Sequence, residues 1–135
     1  MKKETILPEG WPRPKGYANG VLVEGPCRWL FIAGQVGWDR EERMVEGGFL
    51  AQFRQALSNV VEVLGAAGGD PSHLVEMTVY VTDTALYEAE LKGVGEAWKN
   101  LVGRHFPAMA LVQVAALLEE GALVELQARA ALPRD

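Results

Sequence analysis

Cysteine and histidine are scarce in this chain of 135 residues, which has one Cys and two His. The single Cys27 cannot form an internal disulfide. One Cys with two His, and no C-x-x-C or H-x-H pair, also make a poor set of metal ligands. We therefore expect neither a disulfide framework nor a metal site.

Long apolar runs are missing as well. No stretch approaches the roughly 18 consecutive apolar residues that suggest a transmembrane helix. The two lysines near the start, Lys2 and Lys3, are not followed by an apolar stretch of signal-peptide length. We expect a cytoplasmic protein with no membrane partner.

Basic residues are too few and too scattered to indicate a nucleic-acid-binding protein. The 13 Lys and Arg residues face 18 Asp and Glu residues, for a formal net charge of −5. The densest charged stretch, 39–46, mixes both signs. Because phosphate contacts supply much of the affinity for nucleic acids, their binders usually show a basic stripe. We expect no nucleic-acid partner.

Apolar residues are plentiful, at 49% of the chain, while charged residues make up 23%. This balance provides enough material for a hydrophobic core and too little charge for a disordered chain. The length fits one domain of ordinary size, and no internal repeat divides it. We expect a single domain over residues 1–135.

Short strands are predicted before the first helix. The Pro- and Gly-rich segment 7–16 excludes a helix. Segment 21–24 predicts a strand, and the aromatic and branched stretch 29–33 predicts another. A further strand near 3–7 is left open.

Two helices are predicted from apolar residues that recur every three or four positions. The first follows Gly47-Gly48, and Gln52 and Asn59 lie mostly off its apolar stripe. The second is capped by Asp83 or Thr84. The first stripe comprises Leu50, Phe53, Leu57, Val60, Val61 and Leu64, and the second Tyr87, Leu91, Val94, Trp98 and Leu101.

Alternating residues predict strands over 75–82 and 123–130, and a further strand is predicted over 109–114. In the first of these, Val75 shares the apolar face with Met77, Val79 and Val81. Two helices with one stripe each cover only one face of a sheet of five or six strands. We therefore expect an α+β two-layer sandwich, whose other face is left for water or a symmetric partner.

Few residues suggest chemistry without further information. His73 and His105 lie in no nucleophile motif, so we interpret both as loop residues. Glu125 lies mid-strand between Val124 and Leu126, on the face that no helix covers. Such a carboxylate is either solvated or held in an interface cavity, and the spacing alone favours the solvated alternative.

Six segments in order resemble the RidA/YjgF family of reactive-intermediate deaminases. The resemblance runs from about residue 16 to residue 131, and it lies in the combination because no single piece is specific. The matching segments are 16–21, 31–36, 53–60 with 66–69, 78–83, 106–108 and 124–126.

The resemblance implies a chorismate-mutase-like fold with a mixed sheet, assembled as a homotrimer. The sheet faces without helices would form an internal barrel, with small-molecule sites in the clefts between subunits. Family members with the full motif hydrolyse enamines and imines with no metal or cofactor. The resemblance thus accounts for a sheet face that the hydrophobic pattern alone leaves uncovered.

The resemblance also implies roles for individual residues. Glu125 would be the catalytic residue that holds the attacking water. Where the family has Pro-Ala-Arg, whose arginine clamps the substrate carboxylate, this chain has Pro107-Ala108-Met109. Leu111 stands where Cys, Thr or Ser is usual, and Ala33 replaces a serine. The implied substrate-binding residues are Tyr17, Ala33, Gly34, Met109 and Leu111.

Three functions remain open. The first is hydrolysis of an imine or enamine that is neutral at the Met109 end, because losing a buried charged clamp costs about 2–5 kcal/mol. The second is a non-catalytic small-ligand-binding or holdase-like protein. The third is a 2-iminobutanoate or enamine deaminase in which Arg129, Arg28 or Arg104 replaces the missing arginine. Endoribonuclease activity, sometimes attributed to the family, gains no support from the charge pattern.

Overall fold

The computed structural model describes residues 1–134. The chain begins with two antiparallel strands, β1 (Lys2–Ile6) and β2 (Gly20–Glu24), which pair only with each other in the described part. The strand left open near 3–7 is therefore present. It belongs to a separate hairpin, however, and the expectation of one sheet with five or six strands is wrong.

The main sheet has four strands in the order β3-β6-β4-β5. They are β3 (Cys27–Gln35), β4 (Leu74–Val81), β5 (Ala108–Gln113) and β6 (Val124–Pro133). The β4–β5 pair is parallel, while β6 is antiparallel to both β3 and β4. The sheet is thus mixed, as the resemblance implied.

The predicted helical segments form three α-helices in the described residues. They are α1 (Gly48–Ala66), α2 (Thr84–Ala89) and α3 (Leu91–Leu101). The second predicted helix is divided because Glu90, at φ −118° and ψ 21°, leaves the helical conformation. Asp83 caps α2 as predicted, accepting a hydrogen bond from the Ala85 N–H at 2.9 Å. Past the break, Leu91 leaves the apolar stripe and is 54% exposed.

The core lies between the helices and one face of the main sheet. Phe53, Leu57 and Leu64 of α1 pack against the apolar faces of β4 and β6. Leu74 takes the core position that was predicted for Val75. The pairing of β4 with β6 shifts register between Leu74 and Glu76, which takes Val75 out of the alternation. Val75 lines a cavity beside Glu76 instead.

The other face of the main sheet, called here the open face, carries no helix within residues 1–134, in agreement with the two-layer prediction. Phe31 is 69% exposed on it, and the Arg129 guanidinium lies 5.7 Å from the Phe31 ring centre. Arg129 also pairs with Glu76 at 3.3 Å. The described helices include none with the length and hydrophobicity needed to cross a bilayer.

Candidate functional site

Five of the six predicted site residues fall around two separate cavities, and Ala33 lines neither of them. Tyr17, Met109 and Leu111 line one of about 290 Å³, called here the Met109 cavity. Gly34 and Glu125 line another of about 500 Å³, the Glu125 cavity. One chain therefore does not bring Glu125 together with Tyr17 and Met109.

Strand register explains this separation. Met109 pairs with Met77 and Leu111 with Val79 across the parallel β4–β5 ladder, so both share the face that packs against the helices. Glu125 pairs with Tyr80, one position out of phase. Because side chains alternate between the two faces of a sheet, Glu125 belongs to the open face.

The Pro-rich loop before β2 closes the Met109 cavity. The Ala18 N–H donates to the Pro107 carbonyl at 2.9 Å, and Ala18 forms a parallel bridge with Ala108. Gly16 has φ +80°, a left-handed conformation that suits glycine. This turn places the two neighbours of Gly16 along the rim of the cavity. They are Lys15 and Tyr17.

The Met109 cavity is chemically sparse. Lys15 is the charged residue in its described lining, and Tyr17 and Tyr87 add two phenols to an otherwise largely aliphatic wall. Burial raises the pKa of Tyr87, so its phenol stays protonated at neutral pH. Lys15 was not among the site residues predicted from the sequence. Its position two residues before Tyr17 could have indicated that it lies at the same site.

The Glu125 carboxylate lies against Gly34. A Cβ built on Gly34 would be 2.7 Å from the Glu125 carboxyl carbon, so any larger residue would displace the acid. The β3–β6 register shifts between Ile32 and Gln35, which places Ala33 and Gly34 in an irregular stretch of the strand. The Ala33 carbonyl accepts a hydrogen bond from the Gln35 side chain at 3.0 Å.

Gln52 on α1 anchors the chain just before Glu125. Its side chain donates to the Gly121 carbonyl at 2.9 Å and accepts from the Leu123 N–H at 2.8 Å. At 5% exposure it is the buried polar residue of the described chain, so its assignment to a position mostly off the stripe was wrong. A polar side chain among apolar neighbours gives no periodic signal of burial.

Asn59, one of the residues lining the Glu125 cavity, holds the opposite wall. Its amide donates to the Val36 carbonyl at 3.2 Å and to the Trp38 carbonyl at 2.8 Å, while its own oxygen accepts from Gln55 at 2.9 Å. Helix α1 thus tethers both segments that flank the carboxylate. This positioning role was also missed in the sequence.

Two further carboxylates, Glu42 and Glu119, line the Glu125 cavity. Glu42 has φ +59°, a conformation held by Asp39, which accepts from the Arg43 N–H at 3.1 Å and the Glu41 N–H at 2.8 Å. These two hydrogen bonds lower the pKa of Asp39. The charged segment 39–43 is therefore an exposed loop held by local hydrogen bonds.

The three arginines considered as replacements for the missing clamp line neither cavity. Arg129 is engaged with Glu76 on the open face. The Arg28 guanidinium lies 3.4 Å from the Ala67 carbonyl and 3.5 Å from the Pro133 carbonyl. Arg104 lines a third cavity of about 490 Å³, which shares Tyr17 with the Met109 cavity.

Both histidines make local structural contacts. His73 accepts a hydrogen bond from the Asp70 N–H at 3.0 Å. The Nε2 atom of His105 lies 2.7 Å from the Leu74 carbonyl, and the Trp98 indole donates to the His105 carbonyl at 2.9 Å. Burial lowers the pKa of His105, which keeps the ring neutral with its Nε2–H donating to Leu74.

The chain matches known proteins over most of its length. The sequence model of the family described as Endoribonuclease L-PSP matches residues 13–132. The 2-iminobutanoate/2-iminopropanoate deaminase of Homo sapiens is 37% identical over 113 residues, which are 83% of this chain and 77% of the relative. A RutC family protein of Pyrococcus horikoshii is 32% identical, covering 93% and 95% of the two chains.

Solved structures agree with these sequence matches. The Rid family protein YyfB from Yersinia pestis superposes with a TM-score of 0.85 at 32% identity, over 98% of this chain and 100% of that one. RidA from the Antarctic bacterium Psychrobacter sp. gives a TM-score of 0.67 at 30% identity, over 96% and 99%. Fold and sequence therefore point to the same set of relatives.

Proposed function

The chain belongs to the Endoribonuclease L-PSP family, which is the RidA/YjgF family, and we propose that it hydrolyses imines or enamines without a cofactor. The position of Glu125 carries this proposal. Its carboxylate lies over Gly34 at the rim of an open cavity, between segments that α1 holds in place. A relative of this chain is named an imine deaminase, which favours this chemistry over others.

The complete site lies between two copies of the chain in this proposal. The Met109 and Glu125 cavities are separate within one chain, so a ligand that needs both must be enclosed by a second copy. The open face offers a surface for that copy, because Trp29 and Phe31 are 52% and 69% exposed on it. Exposed aromatic surface of this kind commonly marks an interface. A homotrimer, as the family resemblance implies, would form three such clefts.

Glu125 would act on water rather than on the substrate directly. The carboxylate accepts a proton from a bound water while the water oxygen adds to the carbon of the C=N bond, and the resulting carboxylic acid returns that proton to the nitrogen. The hydroxyl proton of the carbinolamine then passes through the carboxylate to the amine, and the C–N bond breaks to release ammonia and leave a carbonyl product. The reaction consumes one water and requires no oxidant, reductant or metal.

The Met109 end of the cleft sets the substrate class. A thioether carries no charge and is at best a weak hydrogen-bond acceptor. Lys15 provides a single flexible ammonium, which lacks the planar fork with which arginine binds a carboxylate in two parallel bonds. We therefore propose substrates that are uncharged at this end.

The test is ammonia release from imines that an amine oxidase generates in the same vessel. Glu125→Gln should lower kcat by about 100-fold or more, the usual contribution of a general base. Glu119→Gln is the matched control, because it removes another carboxylate from the same cavity. Undiminished turnover by Glu125→Gln would refute the proposed role.

A non-catalytic binding or holdase-like protein is the second candidate. It is favoured by the apolar residues Ala33, Met109 and Leu111 at three of the substrate-binding positions. In that case metabolites would raise the melting temperature of the protein, yet no imine would be hydrolysed faster than in buffer. The same ammonia assay therefore separates the two functions.

A further inference from the structure

Another cavity adjoins the Met109 cavity on the side of the helices. It also measures about 290 Å³, and we call it the α3 cavity. The two cavities share Lys15, Gly16, Val79, Tyr87 and Met109. The remaining lining of the α3 cavity is Phe53, Leu91, Val94, Gly95, Trp98 and Phe106.

Gly95 lies at the exposed edge of the α3 cavity. It lies inside α3, where glycine costs about 1 kcal/mol relative to alanine, yet a Cβ built there would meet nothing within 4 Å. Gly93 differs, because a Cβ built there would overlap the Leu50 side chain. A side chain at position 93 would require Leu50 to move, whereas one at the exposed position 95 would project into open space that borders the α3 cavity.

The walls of the α3 cavity suit an apolar guest. Trp98 and Phe106 stack with ring centres 5.9 Å apart and planes 7° from parallel, and the described lining carries charge only at Lys15, on the side shared with the Met109 cavity. Engineered apolar cavities of about 150 Å³ already bind benzene. The α3 cavity therefore has room for a phenyl or branched aliphatic group.

We infer that the α3 cavity binds the apolar body of the ligand, an imine or carbonyl compound bearing an aromatic or branched aliphatic group. The polar end of this ligand lies in the Met109 cavity, beside Tyr17. The hydrolytic part of this statement rests on the proposed function, while the binding part does not. A side chain of a second copy is the alternative occupant. In that case Gly95→Leu would change the oligomeric state and not the affinity for phenylacetone.

The experiment measures binding of phenylacetone, an uncharged ketone of the product class, by NMR titration of the full-length chain. Wild-type protein should show saturable shifts at the Trp98 indole. Gly95→Leu should weaken binding by about 30-fold, the value of transferring one phenyl-sized group into an apolar site. Gly95→Ala should give a smaller loss, and it remains informative if the larger side chain disturbs folding.

Gly65→Leu is the matched control, because Gly65 is also a helical glycine whose Cβ would meet nothing within 4 Å, but it lies in α1 outside the α3 cavity. It should bind phenylacetone like wild type. Equal affinity in wild type and both Gly95 variants would overturn the inference. So would a Gly95→Leu change that alters the oligomeric state, measured by light scattering, without altering phenylacetone affinity. Saturable phenylacetone binding, with no ammonia release from the corresponding imine, would leave this inference standing and refute the proposed hydrolysis.

Discussion

Replacing Met109 by arginine tests whether the missing clamp sets substrate choice. The Met109 side chain is partly buried between β5 and the helices, and it lines both the Met109 and the α3 cavities. Those adjoining spaces of about 290 Å³ each leave room for a guanidinium. Met109→Arg should therefore fold and present its charge to the ligand.

The size of the effect follows from the interaction gained. Truncating one partner of a buried charge pair costs about 2–5 kcal/mol, much of it the penalty on the charge left unpaired, and this range is a factor of roughly thirty to several thousand in affinity. Lys15 lines the same cavity and opposes a second positive charge, so we expect the low end of this range. The kcat/KM for 2-iminobutanoate should rise by about 30-fold, while that for an uncharged imine should not rise.

The assay is ammonia release from 2-iminobutanoate, compared with that from an uncharged imine of similar size. Met109→Lys is the control, because it adds the charge without the bidentate geometry and should give a smaller gain. Met109→Gln should give none. A wild-type rate for 2-iminobutanoate that already equals that of Met109→Arg would show that the clamp has been replaced, and the reasoning would fail.

Three further changes test the supporting structure. Gly34→Ala should displace the Glu125 carboxylate and lower kcat by about 100-fold, with little change in urea denaturation. Gln52→Leu should lower the free energy of unfolding by about 2 kcal/mol, since it leaves the Leu123 N–H and the Gly121 carbonyl unsatisfied. His105 should make stability pH-dependent, because burial lowers its pKa from an ordinary 6.5. Unfolding free energy should be fully retained above pH 6.5 and fall as pH drops through the folded pKa, and His105→Asn should flatten this slope in urea titrations.

Local patterns predicted most of the fold. The stripe around Phe53 and Leu57 and the alternation in β6 each reflect a single repeating geometry, and both are confirmed. The break at Glu90 was not predicted, because apolar spacing continues across it while the backbone conformation changes. The misplacement of Val75 has a similar origin, since a register shift depends on the pairing strand and not on the strand itself.

The candidate site was harder to predict than the fold. Motif resemblance made Glu125 and Met109 candidates, but only the strand register shows that they occupy opposite faces of the sheet. Lys15 and Gln52 depend on contacts across large sequence separations, as in the bond from Gln52 to Leu123, and no local pattern encodes these. Gly95 borders the α3 cavity, and sequence spacing cannot distinguish it from a glycine in close contact with a neighbour, such as Gly93.

Complementation between two inactive variants tests most directly whether each site is shared between copies. Glu125→Gln removes the proposed base, and Met109→Trp fills the Met109 cavity, so each variant alone should be inactive. The two variants are mixed in equal amounts, unfolded and refolded together. Random association into a symmetric assembly should then restore about a quarter of the wild-type rate. This recovery requires Glu125 from one chain and the Met109 cavity from another. A mixture that stays as inactive as its components, although light scattering and mass spectrometry show mixed assemblies, would contradict a shared site.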